Sequence, residues 1–388
     1  MAPSKKTLND RWTSLLAVKD RRELFKDSPT GKKVDRTSPK LLPLTGDAPP
    51  IASLGSTTPI PVIFPFAYRS FDRYWIIADG RVIDRPSPNL WSALSNKQVY
   101  ITSLLTAVIG EGPAAVATPF IPDLHHFCNR GAKDVIPLWR DPHAKHANIT
   151  AGVLSLLAKT YGKTVAPEDL FAYTYAVLAS PAYVETFWDE LVIPGPRLPV
   201  TKEAKLFFDG VGHGKHLIWL HTFGERCVPK GEKPGRVPPG KARCAVGTPG
   251  DAANYPNAFS YDEAKGELHI GEGAKGGIFK DVPKAVWDFS ISGFQPLQSW
   301  LGYRMKDRSG RKSSPLDDIR PERWEFDAEL LNVIWILEHT VAAFPALAAW
   351  LKQVVAGSIF PNSDFPKPLA EERERLVEIK PGLNGKLF

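Results

Sequence analysis

The sequence predicts an α+β protein: a β-rich unit, then a helical spacer, then a second small mixed unit ending in a helical hairpin. Three observations carry this prediction. Between about Ile60 and Leu138, short runs such as VIF, YWIIAD, QVYITSLL and VIPLW alternate with proline, glycine and asparagine breaks, as strands of a compact sheet do. Between residues 151 and 225 the apolar residues recur three and four apart, as on amphipathic helices. A chain of 388 residues, 43% hydrophobic and 11% aromatic, supplies apolar surface for two or three cores.

Residues 1–50 are basic and close on SPKLLPLTGDAPP, which predicts an extended connector or docking arm. Residues 51–150 form the β-rich unit. In 151–225, AGVLSLLAKTYG, APEDLFAYTYAVLASPAYVETFWDEL and TKEAKLFFDGVGHGKHLIWLHTFG predict three helices, the last beginning near Thr201 and stopping at Gly224. Residues 226–325 open within GERCVPKGEKPGRVPPGKARC, dense in Pro, Gly and cations, which predicts a surface loop or mobile linker. FSYDEAKGELHIG predicts a hairpin around Lys265 and Gly266, and VWDFSISGFQPLQSWLGYRMKD a return to strand-like, aromatic character. In 326–360, AELLNVIWILEHTVAAF and PALAAWLKQVVAG predict two helices broken at Pro345, and residues 361–388 a charged tail.

A net charge of +7 favours a polyanionic partner. Three widely spaced cysteines, Cys128, Cys227 and Cys244, suit reduced thiols better than a disulfide framework. Mean hydropathy is −0.20, no apolar run approaches the roughly 20 residues of a membrane span, and MAPSKKTLNDRW leads into no signal-peptide core. The expected location is the cytoplasm, with no membrane partner.

Five blocks, RSFDRYWIIADGRVIDRPSPNLW, DLHHFCNRGAKDVIPLWRD, LFAYTYAVLASPAYVETFWDEL, PRLPVTKEAKLFFDGVGHGKHLIWLHTFGER and SGFQPLQSWLGYRMKDRSGRKSSPLDDIRPERW, follow one another in a fixed order. Together they resemble the C-terminal specificity region of type ISP restriction-modification enzymes across nearly the whole chain. The resemblance implies a target recognition domain with a helical spacer, following an adenine-specific DNA methyltransferase that uses S-adenosylmethionine; longer members add a helicase-like ATPase and a nuclease. Those parts are expected upstream or on a separate chain. The expectation is a DNA-binding module that is no enzyme on its own and holds no cofactor, with double-stranded DNA and an adenine methyltransferase domain or subunit as partners.

Motif by motif, the chain lacks the Asn/Asp-Pro-Pro-Tyr/Phe loop and the Gly-rich turn of an amino-methyltransferase; Asn254-Tyr255-Pro256-Asn257 reads as a turn. Gly210, Gly212, Gly214 and Lys215 fail the phosphate-loop spacing and read as close helix packing. His125, His126, Cys128, His221, Cys227 and Cys244 are zinc-type donors without a finger spacing. Asp317 and Asp318 suit a turn or pairing with Arg320 and Arg323.

The basic clusters point to DNA. Arg304, Lys306, Arg308, Arg311 and Lys312 crowd one Gly-containing segment suited to a phosphate backbone. Arg81 and Arg85 flank the IDRPSPNLW turn, and Asn129, Arg130 and Lys133 share another loop; arginine reads guanine and asparagine adenine through paired hydrogen bonds. Arg69, Arg73 and Asp84 suit buried ion pairs that hold the fold. Two other classes stand beside this reading: a protein-interaction subunit docking a methyltransferase or translocase through the apolar hairpin around Trp335 and Trp350, and a zinc hydrolase.

Overall fold

Strands form where β-branched and aromatic residues alternate. In the computed structural model, which describes residues 1–29, 31–36, 48–127, 134–272, 276–307 and 314–374, β1 (Ile63–Arg69) and β2 (Asp72–Ile77) pair antiparallel from Ile63↔Ile77 to Ala67↔Arg73. The predicted extended arm does not hold over its first part, because α1 (Lys5–Ala17) is a helix packed on this hairpin. Leu8, Trp12, Leu15 and Leu16 recur at helical spacing between charged residues, and Leu8, Trp12 and Leu16 bury against Ile77. Ser4 caps the helix by accepting the Thr7 N–H, and Ala2 pairs with Trp75 through both backbone bonds. Residues 37–47, which hold most of the proline-rich stretch, lie outside the described residues.

After α2 (Pro88–Ser92), a second antiparallel sheet has the order β4 (Ala115–Thr118), β3 (Tyr100–Ser103), β5 (Asp134–Pro137), with every β3 residue buried. The spacer holds α3 (Val153–Tyr161), α4 (Pro167–Leu178), α5 (Pro181–Thr186) and α6 (Ala204–His221). Where one long helix is expected, α4 and α5 are separate, because Pro181 lacks an N–H and opens a new helix. The glycines of α6 serve close packing: a Cβ at Gly214 would stand 1.8 Å from the Ala172 carbonyl oxygen, and one at Gly210 2.2 Å from the Trp350 ring. Gly224, at φ +79°, ends the segment by donating its N–H to Trp219 O.

The third antiparallel sheet runs β6 (Arg243–Val246), β9 (Gly277–Lys280), β8 (Glu267–Ile270), β7 (Phe259–Asp262), and its β7–β8 hairpin turns at Gly266, φ +62°. The segment expected to be strand-like instead forms two short helices, α7 (Lys284–Trp287) and α8 (Pro296–Gly302), each opened by a proline. The loop from Gly224 to Cys244 is pinned at both ends. Arg226 donates to the Gln98 and Ser95 carbonyls, while Glu338 accepts the Lys241 and Ala242 N–H groups.

The expected helical hairpin is one continuous helix, α9 (Asp327–Ala356), which runs through Pro345. Pro345 sits on the exposed face, where solvent rather than the core can satisfy the Val341 carbonyl that a proline leaves without its helical donor. At 30 residues α9 is, by length and composition alone, long and apolar enough to cross a membrane, contrary to the sequence expectation. Here it packs on α5, α6, α7 and β6, burying Leu330, Val333, Ile334, Leu337, Leu347 and Leu351. The partner-docking surface expected around Trp335 and Trp350 is used internally: Trp335 donates to Ala242 O, and buried Trp350 to Leu206 O.

At the centre a single-file hydrogen-bond chain crosses the layers. The Ala117 N–H donates to the Tyr175 hydroxyl, which donates to His221 Nδ1; His221 Nε2 donates to Thr340 Oγ1, which donates to the Ile336 carbonyl. Burial pulls the His221 pKa down to about 3, so the ring is neutral.

Candidate nucleic-acid interface

The tight turn between β1 and β2 carries three charged residues, and each finds a partner from a distant part of the chain. Arg69 pairs with Asp123 at 2.6 Å, Asp72 with Arg304 at 2.8 Å, and Arg73 with Glu329 at 3.8 Å. Arg304 arrives from the end of α8 with its side chain 0% exposed. It lies over the Trp300 ring at 3.7 Å and has Glu329 as a second carboxylate, also at 3.7 Å. Burial pushes the Asp72 carboxyl up to about 6, with Arg304 opposing; burial also works against the Arg304 charge, but Asp72 and Glu329 outweigh it and hold its pKa above the usual value.

Two of the residues expected to touch DNA are therefore internal. Arg304 clamps the base of the basic segment to the β1–β2 turn. Arg81, 5% exposed, grips both Asp79 carboxylate oxygens and the Pro49 carbonyl. In both cases a carboxylate in the same dry site pairs with the guanidinium and holds it inside the fold.

Arg85 and Lys306 are exposed, and among the described residues neither side chain has an ion-pair partner. Arg85 sits at φ +47° on the turn before α2, and the backbone of Gly31 approaches so closely that a Cβ there would lie 2.7 Å from Arg85 N. Lys306 is placed through its own backbone: its N–H donates to Pro256 O at 2.8 Å, and the Asp307 N–H donates to Asn257 Oδ1 at 3.0 Å. The Asn254–Asn257 turn thus holds the start of the basic segment. Asn129, Arg130, Lys133, Arg308, Arg311 and Lys312 lie outside the described residues, as does Cys128.

A cleft of about 550 Å³ gathers the edges of all three candidate segments. Arg85 lines it from the turn, His125 from just before residues 128–133, and Ser314 from just after residues 308–313. Lys26 and Lys32 add charge that sequence reasoning missed, since both fall in the stretch read as a connector. Burial pulls the Lys32 pKa down, opposed by Asp317, Asp84 and Asp27. Asp317 pairs with Arg11 of α1 at 3.2 Å, which closes the floor of the cleft.

Two of the zinc-type histidines are otherwise engaged. His126, pulled down to about 3 by burial, bonds Thr102 Oγ1 through Nδ1, and His221 sits in the chain described above. Burial pushes the Cys227 thiol up to about 11, and Cys244 is exposed. Among the described residues no three His, Cys, Asp or Glu side chains are grouped to hold a metal ion.

The sequence pattern described as the Type ISP C-terminal specificity domain matches residues 1–334. The fold is similar to that of the cryo-EM structure of a DrdV–DNA complex, with a TM-score of 0.54 at 19% identity over 74% of this chain and 28% of that one. It is also similar to the ATP-dependent Type ISP restriction-modification enzyme LlaBIII bound to DNA, with a TM-score of 0.54 at 15% identity over 89% of this chain and 22% of that one. The chain spans about a quarter of the length of these two proteins. No curated protein matches it.

Proposed function

This chain belongs to the Type ISP C-terminal specificity domain family, and from that premise we propose that it is a DNA target-recognition module of a restriction-modification system. The observation that carries the reading is one cleft lined by residues from distant parts of the sequence, Arg85, His125 and Ser314, with Lys26 and Lys32 beside them. In this mechanism Arg85, Lys306 and the neighbouring basic residues contact phosphates and set the register of the duplex, while base-edge contacts supply selectivity. The module's work is binding; methyl transfer and its S-adenosylmethionine belong to an adenine methyltransferase domain or subunit that the module orients. Both similar solved structures are DNA complexes, which supports the choice of ligand.

The test is binding of the purified chain to a randomised duplex pool at two salt concentrations, with the enriched sequences read out. The expected result is enrichment of a short motif and an affinity whose logarithm falls linearly with log salt. Absence of binding at low salt would overturn the reading.

A further inference from the structure

A second concavity, of about 1090 Å³, is lined by Tyr303, Met305 and Asp307 at the start of the basic segment. Its walls are the loop after β3 with Ala107 and Val108, Trp188 beyond α5, and the first turn of α8. The lining differs in kind from that of the cleft: among the described residues Asp307 is its one charged side chain, and the polar groups are the side-chain amides of Asn257, Gln295 and Gln298 with a few hydroxyls. Among the described residues, the Gln295 and Gln298 amides have no hydrogen-bond partner, and Gln295 is exposed. Asn257 accepts the Asp307 N–H through Oδ1, which leaves its NH2 as the available donor. Trp188 and Val108 are 47% and 56% exposed.

We infer that this amide-lined groove is the base-reading surface, with Gln295 and Gln298 contacting base edges while Lys306 and Arg85 hold phosphates. The inference rests on the DNA-recognition reading above and adds to it which residues discriminate. A wholly apolar partner would strand the free amides against surface that offers them nothing. The edges of a duplex major groove offer paired donors and acceptors, which glutamine and asparagine match on adenine, and thymine adds a methyl group for an apolar wall such as Val108.

The experiment compares the full chain with Gln295→Ala, Gln298→Ala and the double variant in the randomised-duplex selection, with Lys306→Ala alongside and thermal unfolding as a check on folding. The double variant is expected to keep its non-specific affinity and salt slope but to lose discrimination at one or two base pairs, on the order of 5- to 100-fold. Lys306→Ala is expected to weaken all sequences alike. A double variant that enriches the same motif with the same discrimination overturns the inference and leaves DNA recognition standing. Wild-type binding without any preference also overturns it, and no wild-type binding at low salt removes both readings.

Discussion

Arg304 is where the internal and the DNA-contacting readings of one basic residue diverge most. Replacing it with methionine keeps much of the volume and removes the charge. Asp72 is then left buried, 2.8 Å from where its cation was, and breaking one side of such a pair costs about 3–5 kcal/mol. The lost contact with the Trp300 face, at 3.7 Å, adds about 1–2 kcal/mol for a desolvated cation–π pair. Glu329 retains some solvent, at 21% exposure, so its share is small. Urea unfolding of Arg304→Met, Asp72→Asn and the double variant, run as a double-mutant cycle, is expected to give a coupling energy of about 2–3 kcal/mol, with the double variant more stable than Arg304→Met alone. The reasoning is refuted by an Arg304→Met protein that unfolds at the wild-type urea concentration and loses about 0.9 from its log affinity against log salt slope, the signature of one lost phosphate contact.

Arg85→Ala should do what Arg304→Met should not: weaken DNA binding with a shallower salt slope and leave the urea midpoint within about 0.5 kcal/mol of wild type, as exposed positions do. Gly214→Ala, which forces a methyl into the Ala172 carbonyl at 1.8 Å, should cost about 3 kcal/mol or more in urea unfolding; Gly212→Ala, on the same helix with nothing within 4 Å, should instead stabilise by a few tenths to about 1 kcal/mol. His126 and His221 each sit near 3 when folded, against an ordinary 6.5, so the unfolded chain takes up protons first and each ring withdraws about 1.4 kcal/mol per pH unit below 6.5. Asp72, raised to about 6, acts the other way and returns stability as pH falls below that value, so two groups outweigh one. The urea midpoint should fall between pH 7 and pH 5, and a flat or rising midpoint would contradict neutral burial of the two imidazoles.

Local pattern and long-range pairing were unequally legible. The β7–β8 hairpin was readable because its turn residues and alternation fall within a dozen positions, and α6 because its apolar spacing runs unbroken up to Gly224. Pro345 misled because the cost of a proline depends on which face its orphaned carbonyl meets, and a single sequence does not show that face. α1 was hidden by its charges, since only Leu8, Trp12, Leu15 and Leu16 mark its stripe. The family's blocks pointed to the kind of surface, whereas the fates of Arg81 and Arg304 turned on carboxylates. Asp79 is two residues from Arg81, yet Asp72 is 232 residues from Arg304. Nothing in the RMKDRSGRK run distinguishes its first arginine from the rest. Burial separates Arg304 from the exposed Lys306, and burial is settled by the whole fold.

The chain of hydrogen bonds through Tyr175 and His221 has a direction, and that direction has a consequence for inheritance of change across the molecule. Each member is a donor on one side and an acceptor on the other, so no link can be reversed or dropped alone without stranding its neighbours. Tyr175→Phe would orphan the Ala117 N–H on β4 and the His221 Nδ1 together, and Thr340→Val would orphan the His221 Nε2–H from the α9 end. The four elements therefore tolerate substitution at these positions only as a set. The sheet that contains β4 and the long helix α9 are bound, through one imidazole, to vary in step.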